Sequence, residues 1–156
     1  MSTEYKTEIV ILRSDKDTHF TGSLAQDAME TESINFPSDW RTAGINSCII
    51  EGISIQSDQN LDWDVIIFSG SEYDNTDLDL DKAIDYTSFA NTVGKQIGGA
   101  GQYYYPLASS PFKIPYVDED RSGKLHVGLV NRSATAKNAG ATGEVVITFI
   151  LRPVWG

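Results

Sequence analysis

The chain has 156 residues, 40% hydrophobic and 22% charged, which suits one globular core burying roughly two thirds of the unfolded surface. Its 12 basic and 22 acidic side chains leave a net charge of -10, so it repels phosphate backbones and anionic lipid; with Lys and Arg scattered, neither nucleic acid nor membrane is an expected partner. The one cysteine, Cys48, excludes an intrachain disulfide, and no stretch nears the ~20 apolar residues of a membrane span or opens as a secretory signal, so synthesis in a reducing cytosol is expected.

From residue 4 to 13, Tyr5, Thr7, Ile9 and Ile11 share one strand parity and Val10 and Leu12 the other, which predicts a first strand partly covered on both faces. Residues 14 to 39 are polar, with turn material at Asp15, Asp17, Ser38 and Asp39 and a weak apolar pair at Ile34 and Phe36; loops and short edge strands are expected. Between Ser47 and Gln56 the apolar parity switches from Cys48 and Ile50 to Ile53 and Ile55, and Gly52 at the switch marks a β-bulge. Leu61, Trp63, Val65 and Ile67 then alternate with Asp62 and Asp64, the signature of one buried and one wet face. Residues 57 to 60 are expected to form the hairpin loop between these two strands.

After a run of turn formers from 69 to 77 the period changes. Leu80, Ala83, Ile84, Tyr86, Phe89, Ala90 and Val93 fall on one helical face, with Asp79 as N-cap, Asp81 in the first turn and Gly94 as the stop, so a single short helix is expected there. Strands resume at 102–105, 112–117, 124–131 and 144–153, divided by Pro106, Pro111, Pro115 and two turn-rich loops. The last carries Val145, Ile147, Phe149 and Leu151 on one face and Val146 and Ile150 on the other, so it is either central in a sheet or covered by a partner. About seven to nine short strands, one helix and no βαβ rhythm predict an all-β, two-sheet β-sandwich, jelly-roll-like, as a single domain over residues 1 to 156.

Candidate chemistry is sparse. Asp118, Asp120 and Ser122, followed by Gly123 and Leu125, match the opening of a calcium loop, but position twelve is Leu129 where a bidentate Glu is needed and strands flank it; an acidic hairpin turn is the expected role. Asp74, Asp77, Asp79, Asp81 and Asp85 lack the bending Gly and closing Glu of an EF-hand and read as solvated charge. Only His19 and His126 are available as bases and no Gly-x-Ser-x-Gly elbow exists; alternation with Leu125 and Val127 points His126 away from the core, toward solvent or an interface. Cys48, in an apolar strand, is expected to be a buried, unreactive thiol. No catalytic, cofactor-binding or metal-binding set is therefore expected, and the chain is not expected to be an enzyme. Trp40, Trp63, Tyr73, Tyr103, Tyr104, Tyr105 and Trp155 leave a second class open, a carbohydrate-binding module, which an exposed coplanar pair such as Tyr103 and Tyr105 would favour. A hydrolase whose paired carboxylates converge only in space is a third.

The stretch from Leu125 to Ser133 ends in Asn131-Arg132-Ser133. A small-residue loop with Lys137 follows, then a closing strand from Glu144 to Arg152-Pro153. In these features the chain resembles the carboxyl end of small structural proteins of tailed-bacteriophage particles, head decoration proteins among them. The resemblance implies a jelly-roll or other sandwich domain without an active site that attaches to the outer surface of a capsid in the virion. It also implies partnership with itself, as a homo-oligomer with a trimer favoured, and with a capsid or other virion protein.

Overall fold

The structure, a computed structural model, describes residues 9–71, 82–98, 101–108 and 113–154. Tyr5, Thr7, Tyr73, Asp74, Asp77, Asp79, Leu80, Asp81, Phe112 and Trp155 lie outside the described residues. Ten strands form two antiparallel sheets: β1 Val10–Arg13, β2 Met29–Asn35, β3 Ser47–Ser57, β4 Trp63–Phe68, β5 Ala83–Phe89, β6 Lys95–Gln96, β7 Tyr103–Tyr105, β8 Ile114–Val117, β9 Lys124–Asn131 and β10 Val145–Pro153. One sheet runs β1-β10-β3-β7-β6, and β8 pairs with the first half of β3 where β7 pairs with the second; the other runs β2-β9-β4-β5. From β1 to β4 successive strands alternate between the sheets, β4 and β5 form a hairpin in the smaller one, and β10 returns beside β1, the strand order of a jelly roll, so the expected all-β sandwich is the fold.

The core lies between the sheets and follows the alternation. Val145, Ile147, Phe149 and Leu151 of β10 face Val65 and Ile67 of β4 and Leu125, Val127 and Leu129 of β9 across one fully buried layer. β10 is central, paired along its length with β1 and β3, which resolves its two-faced pattern. The bulge expected at Gly52 is present: Ile150 pairs with Gly52 and Leu151 with Ile50, so Glu51 is the extra residue.

Two expectations are corrected. Residues 57 to 60 do not close a hairpin, because β3 and β4 belong to different sheets; the segment crosses the sandwich, with Tyr105 Oη donating to the Leu61 carbonyl at its far end. The segment around Ala83 to Phe89 is a strand and not a helix. In its pairing with β4, Phe68 faces Ala83 and Ile67 faces Asp85, so Ile84 is a bulge residue. Of the described residues that suggest a helical face, only Phe89 is buried and Ile84 half-buried, while Ala83, Tyr86, Ala90 and Val93 are exposed, so the apparent face is not one that the fold covers. The one α-helix among the described residues is α1, Ser38–Thr42, entered through Pro37 and seated by the buried Trp40, whose ring lies 5.2 Å from that of Phe36. Ile34 and Phe36, a faint pair in the sequence, are both core.

Candidate functional site

Two features stand out, a buried polar centre at one end of the sandwich and the exterior of the larger sheet. The centre is built by the hairpin between β8 and β9. Asp118 is 1% exposed, and its carboxylate is saturated: Oδ1 takes the His126 Nε2 contact at 2.9 Å and the Asp120 amide at 3.1 Å. Oδ2 accepts from the Ser122 amide at 2.9 Å, the Ser122 hydroxyl at 2.8 Å and the Lys124 amide at 3.1 Å. Burial pushes the Asp118 pKa up, but His126, the Lys124 amide and Ser122 outweigh it and hold the carboxyl below its ordinary 3.8.

His126 does point away from the core, opposite Leu125 and Val127, yet it is only 3% exposed, which corrects the expectation of a solvent or interface histidine. The Asp118 hairpin and the neighbouring strands cover it. Its Nδ1 meets Ser33 Oγ at 2.7 Å on β2, and Asp120 Oδ2 lies 3.7 Å from Nε2. Asp120 in turn accepts from the Ser71 amide and hydroxyl, each at 2.8 Å, which lower its pKa, and Ser69 Oγ donates to Glu119. An open cleft of about 350 Å³ reaches this group past Ser33, Phe68, Gly70 and Ser71.

Ser33, His126 and Asp118 stand in the order nucleophile, base and acid. Both imidazole nitrogens are engaged, one by Ser33 and one by Asp118, the pairing that a hydrogen-bonded triad shows, and the network also ties separate elements together. It joins β2 and β9 of one sheet to the hairpin, and through the Asp118 amide on the Asn46 carbonyl at 2.8 Å it reaches β3 of the other. Asp118, Asp120 and His126 offer three ligand atoms within 4.8 Å of one another, and Ser122 spends its hydroxyl on Asp118. The half calcium loop of the sequence is thus a hydrogen-bonded turn, with Gly123 at φ 71 completing it. The tie between Ser33 and His126, 93 residues apart, left no local signal in the sequence.

The residues that carry the family resemblance brace the opposite end. Asn131 is fully buried, its amide donating to the Leu24 and Thr135 carbonyls. Arg132 spans Asp64 at 2.7 Å and Asp27 at 3.0 Å, and buried Lys137 donates to the Gly22 carbonyl at 2.6 Å and the Asn138 carbonyl at 3.1 Å. Desolvation lowers the Lys137 pKa.

Among the described residues the aromatics do not assemble a platform. Trp40, Trp63 and Tyr105 are core, and only Tyr104 of its strand turns outward, so the Tyr103–Tyr105 pair that would favour a carbohydrate module is not exposed. Cys48 is buried and its thiol is pushed up to about 12 by desolvation. Ellman's reagent is expected to leave it unreacted in the native chain and to titrate one thiol after unfolding; prompt native reaction would contradict this burial.

The exterior of the six-stranded sheet is the other feature. Ile11 of β1 pairs with Ile150 of β10, Ile150 pairs with Gly52 of β3, and the Leu107 side chain lies over Gly52 beside Ile150. Ile9, Ile11, Leu107, Val117 and Val154 are 43% to 54% exposed on or beside this face. It also carries a bidentate pair, Arg152 to Glu51 at 2.7 and 3.3 Å, with Lys95 paired beside Tyr104 and Lys16, Asp58 and Glu144 around Gln56 and Val146 at one edge.

No family model matches the chain and no curated protein matches it. Among solved structures, a chain from Desmodium yellow mottle tymovirus is similar at a TM-score of 0.28 and 12% identity, over 100% of this chain and 94% of that one.

Proposed function

We propose that the chain is a non-enzymatic structural subunit of a virus particle, a jelly-roll domain that decorates the outer surface of a protein shell and associates with copies of itself. The observation that carries this reading is the aliphatic exterior of the six-stranded sheet, because a monomer gains nothing from leaving Ile9, Ile11, Leu107 and Val117 in water on one face. The resemblance of residues 125 to 153 to tailed-phage structural proteins supplies the kind of assembly. Jelly rolls serve viral shells, lectins and cupins alike, so the strand order is compatible with the reading without selecting it. The polar centre at Asp118 and His126 fits a subunit that must keep its shape, since its hydrogen bonds run between elements and end within the protein.

Mass spectrometry of particles purified from the cells that make this chain is the test. The chain is expected at a constant ratio to the shell protein, and particles lacking it are expected to lose their contents at a lower temperature. Its presence in the cell extract with none on the particles would sink the reading.

A further inference from the structure

We infer that Asp118, Asp120 and His126 form a site for one divalent cation of the zinc type, held by one imidazole nitrogen and two carboxylate oxygens where the cleft opens on His126. The donor set is not the half calcium loop of the sequence, because His126 of β9 takes the place of Ser122, whose hydroxyl is spent on Asp118. The three ligand atoms lie within 4.8 Å of one another, with His126 Nε2 2.9 Å from Asp118 Oδ1 and 3.7 Å from Asp120 Oδ2. Two ligands of a tetrahedral zinc, each bonded at about 2.0–2.1 Å, stand about 3.3 Å apart, and the two distances bracket that value. With Nδ1–H donating to Ser33 Oγ, 2.7 Å away, the Nε2 lone pair faces both carboxylates. Three acceptors aimed at one point call for a cation between them.

The outer shell is in place as well. Ser122 and the Lys124 amide fix Asp118 through Oδ2, which turns Oδ1 toward the imidazole, and the Ser71 amide and hydroxyl hold the Asp120 carboxylate. The Asp118 and His126 side chains are 0% and 3% exposed and that of Asp120 25%, so the ion sits at the boundary of the protein and the cleft supplies its remaining water ligand. One imidazole with two carboxylates suits zinc and its first-row neighbours, whereas calcium takes about six to eight oxygens. The site stands apart from the virion reading, since an ion there pins the hairpin to β9 in any assembly.

The test uses the untagged full chain, stripped with EDTA, returned to chelator-free buffer and titrated with zinc, cobalt(II) and calcium by calorimetry and equilibrium dialysis. One zinc ion per chain is expected, with a rise in melting temperature that calcium at the same concentration does not give. Cobalt(II) is expected to show the intense visible bands of a four-coordinate ion. Asp120→Asn changes the most exposed ligand and keeps an oxygen for the Ser71 donors, so the variant is expected to fold without metal, as circular dichroism will show. It is expected to weaken zinc binding by about a hundredfold or more, and Ser33→Ala, which removes only the outer hydrogen bond to Nδ1, by about tenfold. His19→Ala, at the chain's other histidine, should leave uptake unchanged. No zinc uptake by the wild type up to millimolar concentration, several weakly held ions per chain, or uptake that survives Asp120→Asn would overturn the inference. The imidazole and the carboxylates would then be joined by a proton alone.

Discussion

Asp118→Ala is expected to cost about 3 kcal/mol or more of stability, since each buried hydrogen-bonding group left without its partner costs about 1–3 kcal/mol. The variant takes the acceptor away from the Ser122 and Lys124 amides and the partner away from the His126 ring. At about 2–4 °C per kcal/mol for a chain of this size, the melting temperature should fall by roughly 10 °C or more. Asp118→Asn keeps the shape but turns an NH2 group toward donors, so it should lie between alanine and wild type. A loss under about 1 kcal/mol in Asp118→Ala, measured by urea unfolding, would mean that the hairpin is held elsewhere and that the centre is not the tie between the sheets.

The same carboxylates set the acid limb of the stability curve. Asp118 and Asp120 both titrate below 3.8 in the fold, so their contribution is complete above that pH and drains away as pH falls through their folded values. The expected result is a melting temperature that drops steeply below about pH 4 in the wild type and less steeply in Asp118→Asn. Parallel curves for the two would deny Asp118 its depressed titration.

Gly143→Ala is the second large effect. A Cβ there would lie 1.9 Å from the Asn138 carbonyl oxygen and 2.6 Å from its carbon, and backbone cannot rotate out of the way as a side chain can. The loop from 138 to 143 must open, which strains the neighbouring Lys137 contacts to the Gly22 and Asn138 carbonyls. The cost is expected at about 3 kcal/mol or more. Gly140→Ala, with nothing within 4 Å of its Cβ but φ 65, should cost only about 1 kcal/mol. Equal losses at the two positions would show that loop conformation, and not the close approach, governs the site.

Much of the fold is legible in the residues because a strand buried on one face writes its burial into alternate positions. Leu61 to Ile67 and Val145 to Leu151 can be assigned by parity alone, and Gly52 reveals its bulge because the switch of apolar parity is local. The segment Ala83–Phe89 misleads for the converse reason. Its apolar residues share a helical spacing, yet only Ile84 and Phe89 of them are covered, because the pairing with β4, bulged at Ile84, decides which side chains turn inward.

The candidate sites were far less legible, since each depends on contacts between distant parts of the chain. Alternation correctly turns His126 away from the core, but it cannot say that Asp118, Ser33 and a hairpin will bury it there. Asp118, Asp120 and Ser122 stand out by spacing, while the amides that fold over Asp118 and the ring of His126 beside it come from the tertiary fold. By itself, then, the sequence determined the all-β class, the inward-facing residues of β3, β4 and β10, the inert thiol and the acidic balance, because these follow from local periodicity and composition. Only the tertiary structure decided which sheet each strand joins, where the single helix lies and which apolar residues remain outside, because pairing partners are chosen by long-range packing that leaves no periodic trace.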